Sequence, residues 1–171
     1  SVAIGNSVTN IGDHAFYGCT GLTGTLMIPD SVASIGDHAF EYCRGLTSVA
    51  IGNSVTSIGR MTFSLCFGLT NIMIPDSVTS IGDWAFYNCI YLTRVAIGSS
   101  VTNIGVGAFT FCYSLKDVFF EGGYPVCGDR LFSGSGTHPG KVTVFVRQAH
   151  AQEWEENVDE GSFAAGNAVW Q

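Results

Sequence analysis

The chain has 171 residues and a formal net charge of −7, with seven lysines and arginines against fourteen aspartates and glutamates. No basic run or stripe is present to neutralise phosphates, which argues against nucleic acid and anionic membrane surfaces as partners. No apolar stretch approaches the roughly 20 residues that a membrane-spanning helix needs, and no charged and apolar leader opens the sequence, so any secretion signal would lie outside it.

In chain order, Ser1-Val2-Ala3-Ile4-Gly5 comes first and matches Arg94-Val95-Ala96-Ile97-Gly98 further on. It reads as the strand that ends a coil. A terminal coil exposes its stacking face unless covered, so a cap or more coils are expected ahead of it. The body is a repeat: Ile11, Ile35, Ile58, Ile81 and Ile104 stand 24, 23, 23 and 23 residues apart, the period of a solenoid coil. Residues 77 to 99 show the unit. Val78, Ile81, Gly82, Ala85, Phe86, Cys89, Leu92, Val95 and Ile97 have counterparts in Val55, Ile58, Gly59, Thr62, Phe63, Cys66, Leu69, Ile72 and Ile74. One extra residue in Leu22-Thr23-Gly24-Thr25-Leu26, compared with Leu46-Thr47-Ser48-Val49, predicts a bulge near Gly24 or Thr25.

Each coil divides into three parts. Leu92 to Ile97 alternates apolar and variable residues, the pattern of a strand with one buried face, and is the main parallel strand. A Gly-Asn-Ser or Pro-Asp-Ser turn follows. Val78 to Gly82 then predicts a second short strand, and Asp83 to Cys89 a 3₁₀ or α turn pinned inward by Ala85, Phe86 and Cys89. The turns alternate in type: Gly5-Asn6-Ser7, Pro29-Asp30-Ser31, Gly52-Asn53-Ser54, Pro75-Asp76-Ser77, Gly98-Ser99-Ser100. The duplicated unit is therefore a pair of coils, and the sequence shows no physical need for the alternation.

A sixth coil is degenerate. Cys127, Gly128, Leu131 and Phe132 take the places of Ile104, Gly105, Ala108 and Phe109; Ser135 replaces the cysteine, and Thr137-His138-Pro139-Gly140 the leucine corner. Val142 to Val146 alternates as a final strand. Gln148 to Asn157 predicts a short helix and Ala168 to Trp170 a short strand, with Trp154, Val158, Phe163, Val169 and Trp170 covering the end of the stack. Glu153, Glu155, Glu156, Asp159 and Glu160 would line its solvent side. The expected organisation is a solenoid over residues 1–146, its first coil incomplete and its sixth degenerate, followed by a C-terminal cap over 147–171.

Cys19, Cys43, Cys66, Cys89 and Cys112 recur at one place per coil. They read as a buried ladder of thiols acting as small apolar side chains, although the spacing of roughly 4.8 Å between strands does not itself forbid a bridge. Cys127, in a core position, reads as a packed thiol.

The unit LxxVxIPxxVxxIGxxAFxxCxx, carried by Leu69, Ile72, Ile74, Pro75, Val78, Ile81, Gly82, Ala85, Phe86 and Cys89, resembles the BspA-like class of bacterial leucine-rich repeat. The resemblance covers residues 1–146 and, more loosely, the tail. It implies a repeat solenoid: a right-handed leucine-rich-repeat stack of about six coils with a main parallel β-sheet, short 3₁₀ or α turns on the other side and a C-terminal cap. It also implies an extracellular or cell-surface protein, since adhesins of the family bind extracellular-matrix and plasma proteins. The family brings no fixed catalytic or ligand-binding residues.

His14 and His38 share a column, each after an aspartate, Asp13 and Asp37. Two imidazoles fall short of the three or four ligands zinc prefers. Turns account for the serines, so no catalytic, cofactor or metal residue is assigned and no enzyme is expected. The informative positions are those that vary within the fixed frame. Tyr42, Met61, Phe67, Trp84, Tyr87, Tyr91, Phe111 and Tyr113 are the candidate partner-binding residues, because aromatic and large apolar side chains anchor interfaces. The same side chains would alternatively fold over neighbouring coils as an outer packing layer. The competing surface is the outward face of the main sheet. Ser48, Asn71, Arg94 and Asp117 form one column there, and Met27, Ala50, Met73, Ala96 and Phe119 the next. The function expected is a non-catalytic protein-binding or adhesion module of a secreted or cell-surface protein. Its ligand would be a host extracellular or bacterial surface protein, with a glycan as a further candidate. The alternative is a structural spacer or self-assembling repeat element of a larger surface protein.

Overall fold

The computed structural model describes residues 2–136, 142–157 and 168–170. Each coil contributes one strand to each of two parallel sheets. The six-stranded sheet joins two-residue strands in chain order: β1 (Asn10–Ile11), β3 (Ser34–Ile35), β5 (Ser57–Ile58), β7 (Ser80–Ile81), β9 (Asn103–Ile104) and β11 (Val126–Cys127). The seven-stranded main sheet joins β2 (Gly24–Met27), β4 (Leu46–Ala50), β6 (Asn71–Ile74), β8 (Arg94–Ile97), β10 (Asp117–Phe120), β12 (Val142–Val146) and β13 (Ala168–Trp170). Like pairs with like: Asn71, Ile72, Met73 and Ile74 lie opposite Arg94, Val95, Ala96 and Ile97. Because side chains alternate along a strand, Ile72 and Ile74 are buried while Asn71 and Met73 face out. The bulge falls where the extra residue predicts it, as a register shift between Gly24 and Thr25.

The third side of the coil carries a hydrogen-bond ladder of its own. The N–H groups of Trp84, Phe86 and Asn88 donate to the carbonyls of Val106, Ala108 and Thr110 in the next coil, at 2.9, 2.8 and 2.8 Å. Within the coil, Ala85, Tyr87 and Cys89 donate back to Gly82, Trp84 and Phe86. The expected 3₁₀ or α turn is thus a chain of single three-residue closures whose alternate N–H groups point along the stack. Two left-handed residues per coil produce this. One column is His14, His38, Met61, Trp84, Gly107 and Arg130; the other is Gly18, Tyr42, Leu65, Asn88, Phe111 and Gly134. Such a conformation costs an L-residue about 1–2 kcal/mol, which the inter-coil hydrogen bonds and the packing beneath them offset.

Inside, the phenylalanine rings form one stack. Successive centroids from Phe16 through Phe40, Phe63, Phe86 and Phe109 to Phe132 are 5.0, 5.4, 5.5, 5.2 and 5.8 Å apart. The cysteine ladder runs beside them and is hydrogen-bonded to them. The Sγ atoms of Cys43, Cys66, Cys89 and Cys112 donate to the carbonyls of Phe16, Phe40, Phe63 and Phe86 in the preceding coil at 3.1–3.2 Å. Where Ser135 replaces the cysteine, its Oγ donates to the Phe109 carbonyl and accepts the Cys112 N–H. Burial pushes the Cys43 thiol up to about 11 and Cys112 to about 12, with Cys66 and Cys89 also well above the ordinary range. All six cysteines are thiols. Thr62, alone in a column otherwise of alanine and one leucine, is buried with Oγ1 within 3.0 and 2.9 Å of the Gly36 and Gly59 carbonyls.

The proline and glycine turns fit closely on one another. A Cβ on Gly52 would come within 2.5 Å of the Pro29 carbonyl oxygen, and one on Gly98 within 2.6 Å of the Pro75 carbonyl carbon. Asp30 and Asp76 of those proline turns accept the N–H of Asn53 and Ser99 through Oδ1, at 2.6 and 2.7 Å. A Pro-Asp turn therefore clamps a glycine turn laid over it.

At the start, Val2 to Gly5 form no strand: Val2 and Ala3 are exposed and Ile4 only partly buried. Among the described residues the expected strand would have a neighbour on one side only. At the other end the expected helix appears as a 3₁₀ turn, Gln148–His150, leading into α1 (Ala151–Asn157). Trp154 is 1% exposed, its ring against Phe120 at 4.5 Å and Tyr124 at 4.9 Å. Cys127 pairs opposite Ile104 as expected but is only half-buried. Residues 137–140, Val158, Asp159, Glu160 and Phe163 fall outside the described residues, as do the side chains of Val169 and Trp170.

Phe86→Ala, in the middle of the ring stack, should lower stability by about 3–5 kcal/mol; an unchanged denaturation midpoint would contradict the stack. The thiols predict alkaline sensitivity. Their folded values lie above the unfolded value near 9, so stability is complete below about pH 9. It falls as pH rises toward 11–12, because the unfolded chain gives up protons that the folded chain keeps. Melting temperature against pH measures this, and a chain with serine at 43, 66, 89 and 112 should show a flatter decline.

Candidate functional site

The eight candidate residues on the turn face divide by how the left-handed backbone presents them. Tyr42, Met61, Phe67, Trp84 and Tyr87 are half-buried, and the four rings among them contact side chains of neighbouring coils. Arg44 spans the Tyr42 and Phe67 rings, at 5.3 and 4.9 Å, and Arg60 covers Trp84 at 5.1 Å. The Trp84 ring occupies the space above Gly107, where a Cβ would meet Cδ1 and Nε1 at 2.6 Å. The outer packing layer considered from sequence is therefore seen for Tyr42, Phe67, Trp84 and Tyr87.

The remaining three are exposed, Phe111 and Tyr113 in ring contact and Tyr91 on the adjoining coil. Tyr91 is 59% exposed, Tyr113 51% and Phe111 36%. Phe111 touches Tyr87 edge-on at 5.6 Å and stacks with Tyr113 at 5.9 Å. The Ser114 N–H donates to the Ile90 carbonyl, which brings the backbone of Tyr113 and Tyr91 side by side. Phe111 rests on Gly134, where a Cβ would come 2.5 Å from the ring. Sequence reasoning missed both glycine seats, Gly107 and Gly134. The signal was present: Gly18, Asn88, Gly107 and Gly134 share columns with the aromatics, and glycine and asparagine are the residues that tolerate the left-handed conformation.

At the other end of this face His14 and His38 stack at 4.6 Å, and His38 Nδ1 lies 2.5 Å from Glu41 Oε2. Tyr17, not among the candidates, is half-exposed and meets Tyr42 at 5.8 Å. Among the described residues no group of three or more histidine, cysteine or carboxylate side chains is placed to hold a metal ion.

The main sheet's outward face is less flat than its small residues suggest. Met27 and Met73 are 62% and 71% exposed, and the register places Met27, Ala50, Met73, Ala96, Phe119 and Phe145 side by side across six strands. Phe119 stacks on Phe145 at 4.5 Å and lies under Arg94, which also pairs with Asp117 at 3.3 Å. Ser48 and Asn71 continue the polar column beside it. An open groove of about 940 Å³ runs from Met73 and Ala96 past the turns at Asp76 and Ser99 to Glu121, Arg147 and His150. Arg147 Nε pairs with Glu121 in its wall, and the Ser99 N–H and hydroxyl hold the Asp76 carboxyl below its usual range.

The family model for the BspA type leucine-rich repeat region matches residues 1–116, in six copies. The chain belongs to the BspA-type leucine-rich-repeat family. Among solved structures, this BspA-type chain is similar to a leucine-rich repeat protein from Bacteroides ovatus, at 37% identity over 81% of this chain and 37% of that one, with a TM-score of 0.67. It is similar to a leucine rich cell surface protein from Faecalibacterium prausnitzii at 35% identity, over 83% of this chain and 40% of that one, TM-score 0.62. A leucine-rich repeat protein of T. pallidum aligns at 27% identity over 93% and 81%, TM-score 0.66. No curated protein matches the chain. The chain spans 37% and 40% of the lengths of the first two relatives. The family and its solenoid fold are typically non-catalytic, and no helix among the described residues is long and apolar enough to cross a membrane.

The seat beneath Trp84 gives a check on the site geometry. Gly107→Ala adds a side chain at φ +61 and under the indole, and should destabilise by about 1–2 kcal/mol from the backbone alone, more if the ring cannot move. It should also alter the near-ultraviolet circular dichroism by moving Trp84. Unchanged spectra and melting would mean that the indole does not rest there.

Proposed function

We propose that this BspA-type array is a protein-binding module of a secreted or cell-surface protein, engaging its ligand through the aromatic corner formed by Tyr87, Tyr91, Phe111 and Tyr113. The observation that carries this is a group of exposed rings on adjoining coils: three of the eight candidates are exposed, Phe111 and Tyr113 in ring contact and Tyr91 on the coil before, beside the Ser114–Ile90 hydrogen bond. Large rigid rings on a backbone tied down by three ladders lose little entropy on binding, which favours such a patch over flexible side chains. The ligand class supported by the family is a host extracellular or bacterial surface protein, and the relative from Faecalibacterium prausnitzii is a cell surface protein. A glycan would use the same ring faces.

A second reading places the contact on the main sheet, where Met27 and Met73 are the most exposed apolar side chains of that face and the groove adjoins them. Under the third, the coils serve as a spacer in a larger protein.

Binding of the chain to immobilised extracellular-matrix, plasma and bacterial surface proteins separates the three. The triple change Tyr91→Ala, Phe111→Ala, Tyr113→Ala should weaken binding at least about tenfold with a melting point close to that of the parent, while Met27→Ser with Met73→Ser leaves it unchanged. The reverse pattern moves the site to the sheet. Binding that neither change weakens rules out both faces, and no binding at all leaves the spacer.

A further inference from the structure

Beyond β12 the chain leaves the coil path. Arg147 leads into the Gln148–His150 turn and α1, and Ala149 and His150 line the open groove at the edge of the main sheet. From Asn53, in the turn after β4, to Arg147, after β12, that groove passes five neighbouring strands, four spacings or about 19 Å. An extended segment of about six residues spans such a length. The lining is mostly apolar, with Met73, 71% exposed, standing beside the small Ala96.

Its charged groups differ in what already holds them. Arg147 pairs with Glu121, and His150 Nδ1 lies 3.6 Å from Glu153. Asp76 is exposed and makes no ion pair among the described residues. Its Oδ1 accepts both the Ser99 N–H and the Ser99 hydroxyl, at 2.7 and 3.0 Å, which keeps the carboxyl ionised and leaves Oδ2 without a hydrogen bond among the described residues. Asp30 is its counterpart two coils earlier, accepting the Asn53 N–H in the same way, but it stands outside the groove. Met73 and Asp76 are three residues apart, one on β6 and the other in the turn that follows. A lysine or arginine side chain is apolar along its stem and charged only at its tip, so one laid across Met73 and Ala96 brings its tip to Asp76.

We propose that this groove is a docking site for a short extended segment of another protein that carries a lysine or arginine, its stem on Met73 and Ala96 and its cationic tip on the Asp76 carboxylate. An acidic segment would set like charge against Asp76, and a wholly apolar one would cover that carboxylate without giving it a partner. The site does not rest on the aromatic corner. It lies where the main strands end, whereas Tyr91 precedes β8, and Phe111 and Tyr113 precede β10.

The test titrates the chain with two capped peptides of about six residues, one alternating leucine with arginine and the other leucine with glutamate, while the backbone amide resonances are followed. The arginine peptide should shift the resonances of Asp76, Ala96 and Ser99, and its binding should weaken as salt is raised. Asp76→Asn, which keeps an oxygen for the Ser99 N–H, should weaken binding about three- to fivefold, the worth of an exposed ion pair. Met73→Ser should weaken it as well, whereas Asp30→Asn removes the same charge two coils away and should leave it unchanged. Equal binding of the glutamate peptide, equal losses from Asp30→Asn and Asp76→Asn, shifts confined to other faces, or no shifts at all would overturn the proposal.

Discussion

The structure depends on one constraint: every coil must repeat its backbone at the spacing of a parallel strand, on all three of its sides. Two sides meet it with ordinary extended chain. On the third the chain must curve inward and still point alternate N–H groups at the next coil, and regular helix cannot do that, because its N–H groups are spent along its own axis. Left-handed residues at two fixed places per turn solve the problem. The glycine column at Gly36, Gly59, Gly82 and Gly105 follows from keeping that close spacing, and the cysteine thiols on phenylalanine carbonyls and the aspartates on neighbouring N–H groups pair backbone groups that the spacing brings together.

That constraint explains which parts of the structure were legible in the sequence. Period, register and core followed from Ile, Phe, Cys and Leu recurring every 23 or 24 residues, since in-register stacking makes like sit on like. The bulge at Gly24 followed from a single extra residue. The left-handed columns were harder to see because their occupants are chemically diverse: histidine, methionine, tryptophan, tyrosine, asparagine and glycine fill one conformation. Only the glycines and Asn88 hint at the backbone, and an eye looking for interface residues sees the aromatics first. The thiol hydrogen bonds were hidden for a different reason, because a cysteine column packs well whether or not it donates. Ser135, a better donor placed in the same column, is the residue that gives the role away.

The candidate site was legible as a face but not as a patch. Variable columns mark where the fold tolerates change, yet tolerance is not exposure. A large side chain on a left-handed residue lies back over the next coil, and whether it is covered depends on what the next coil carries. Trp84 is half-buried because Gly107 leaves it room and Arg60 closes over it. Phe111 has a comparable seat on Gly134, but no cation covers it among the described residues, and its neighbours Tyr113 and Tyr91 stand out beside it.

The two ends of the turn face therefore carry different physical potential. Toward the N-terminus, Arg44 and Glu41 place charge, and His14 and His38 polar rings, among the aromatics, so any partner there must displace water from polar groups that already have partners. Toward the C-terminus the rings are neutral and adjacent, and covering them releases water from apolar surface without unpairing a charge. Both halves stand on the same repeat frame, so they differ chiefly in the desolvation each would require. On desolvation alone, covering the corner at Tyr91, Phe111 and Tyr113 costs less than covering the cluster of histidine, tyrosine and arginine, and that difference is the ground for proposing the corner.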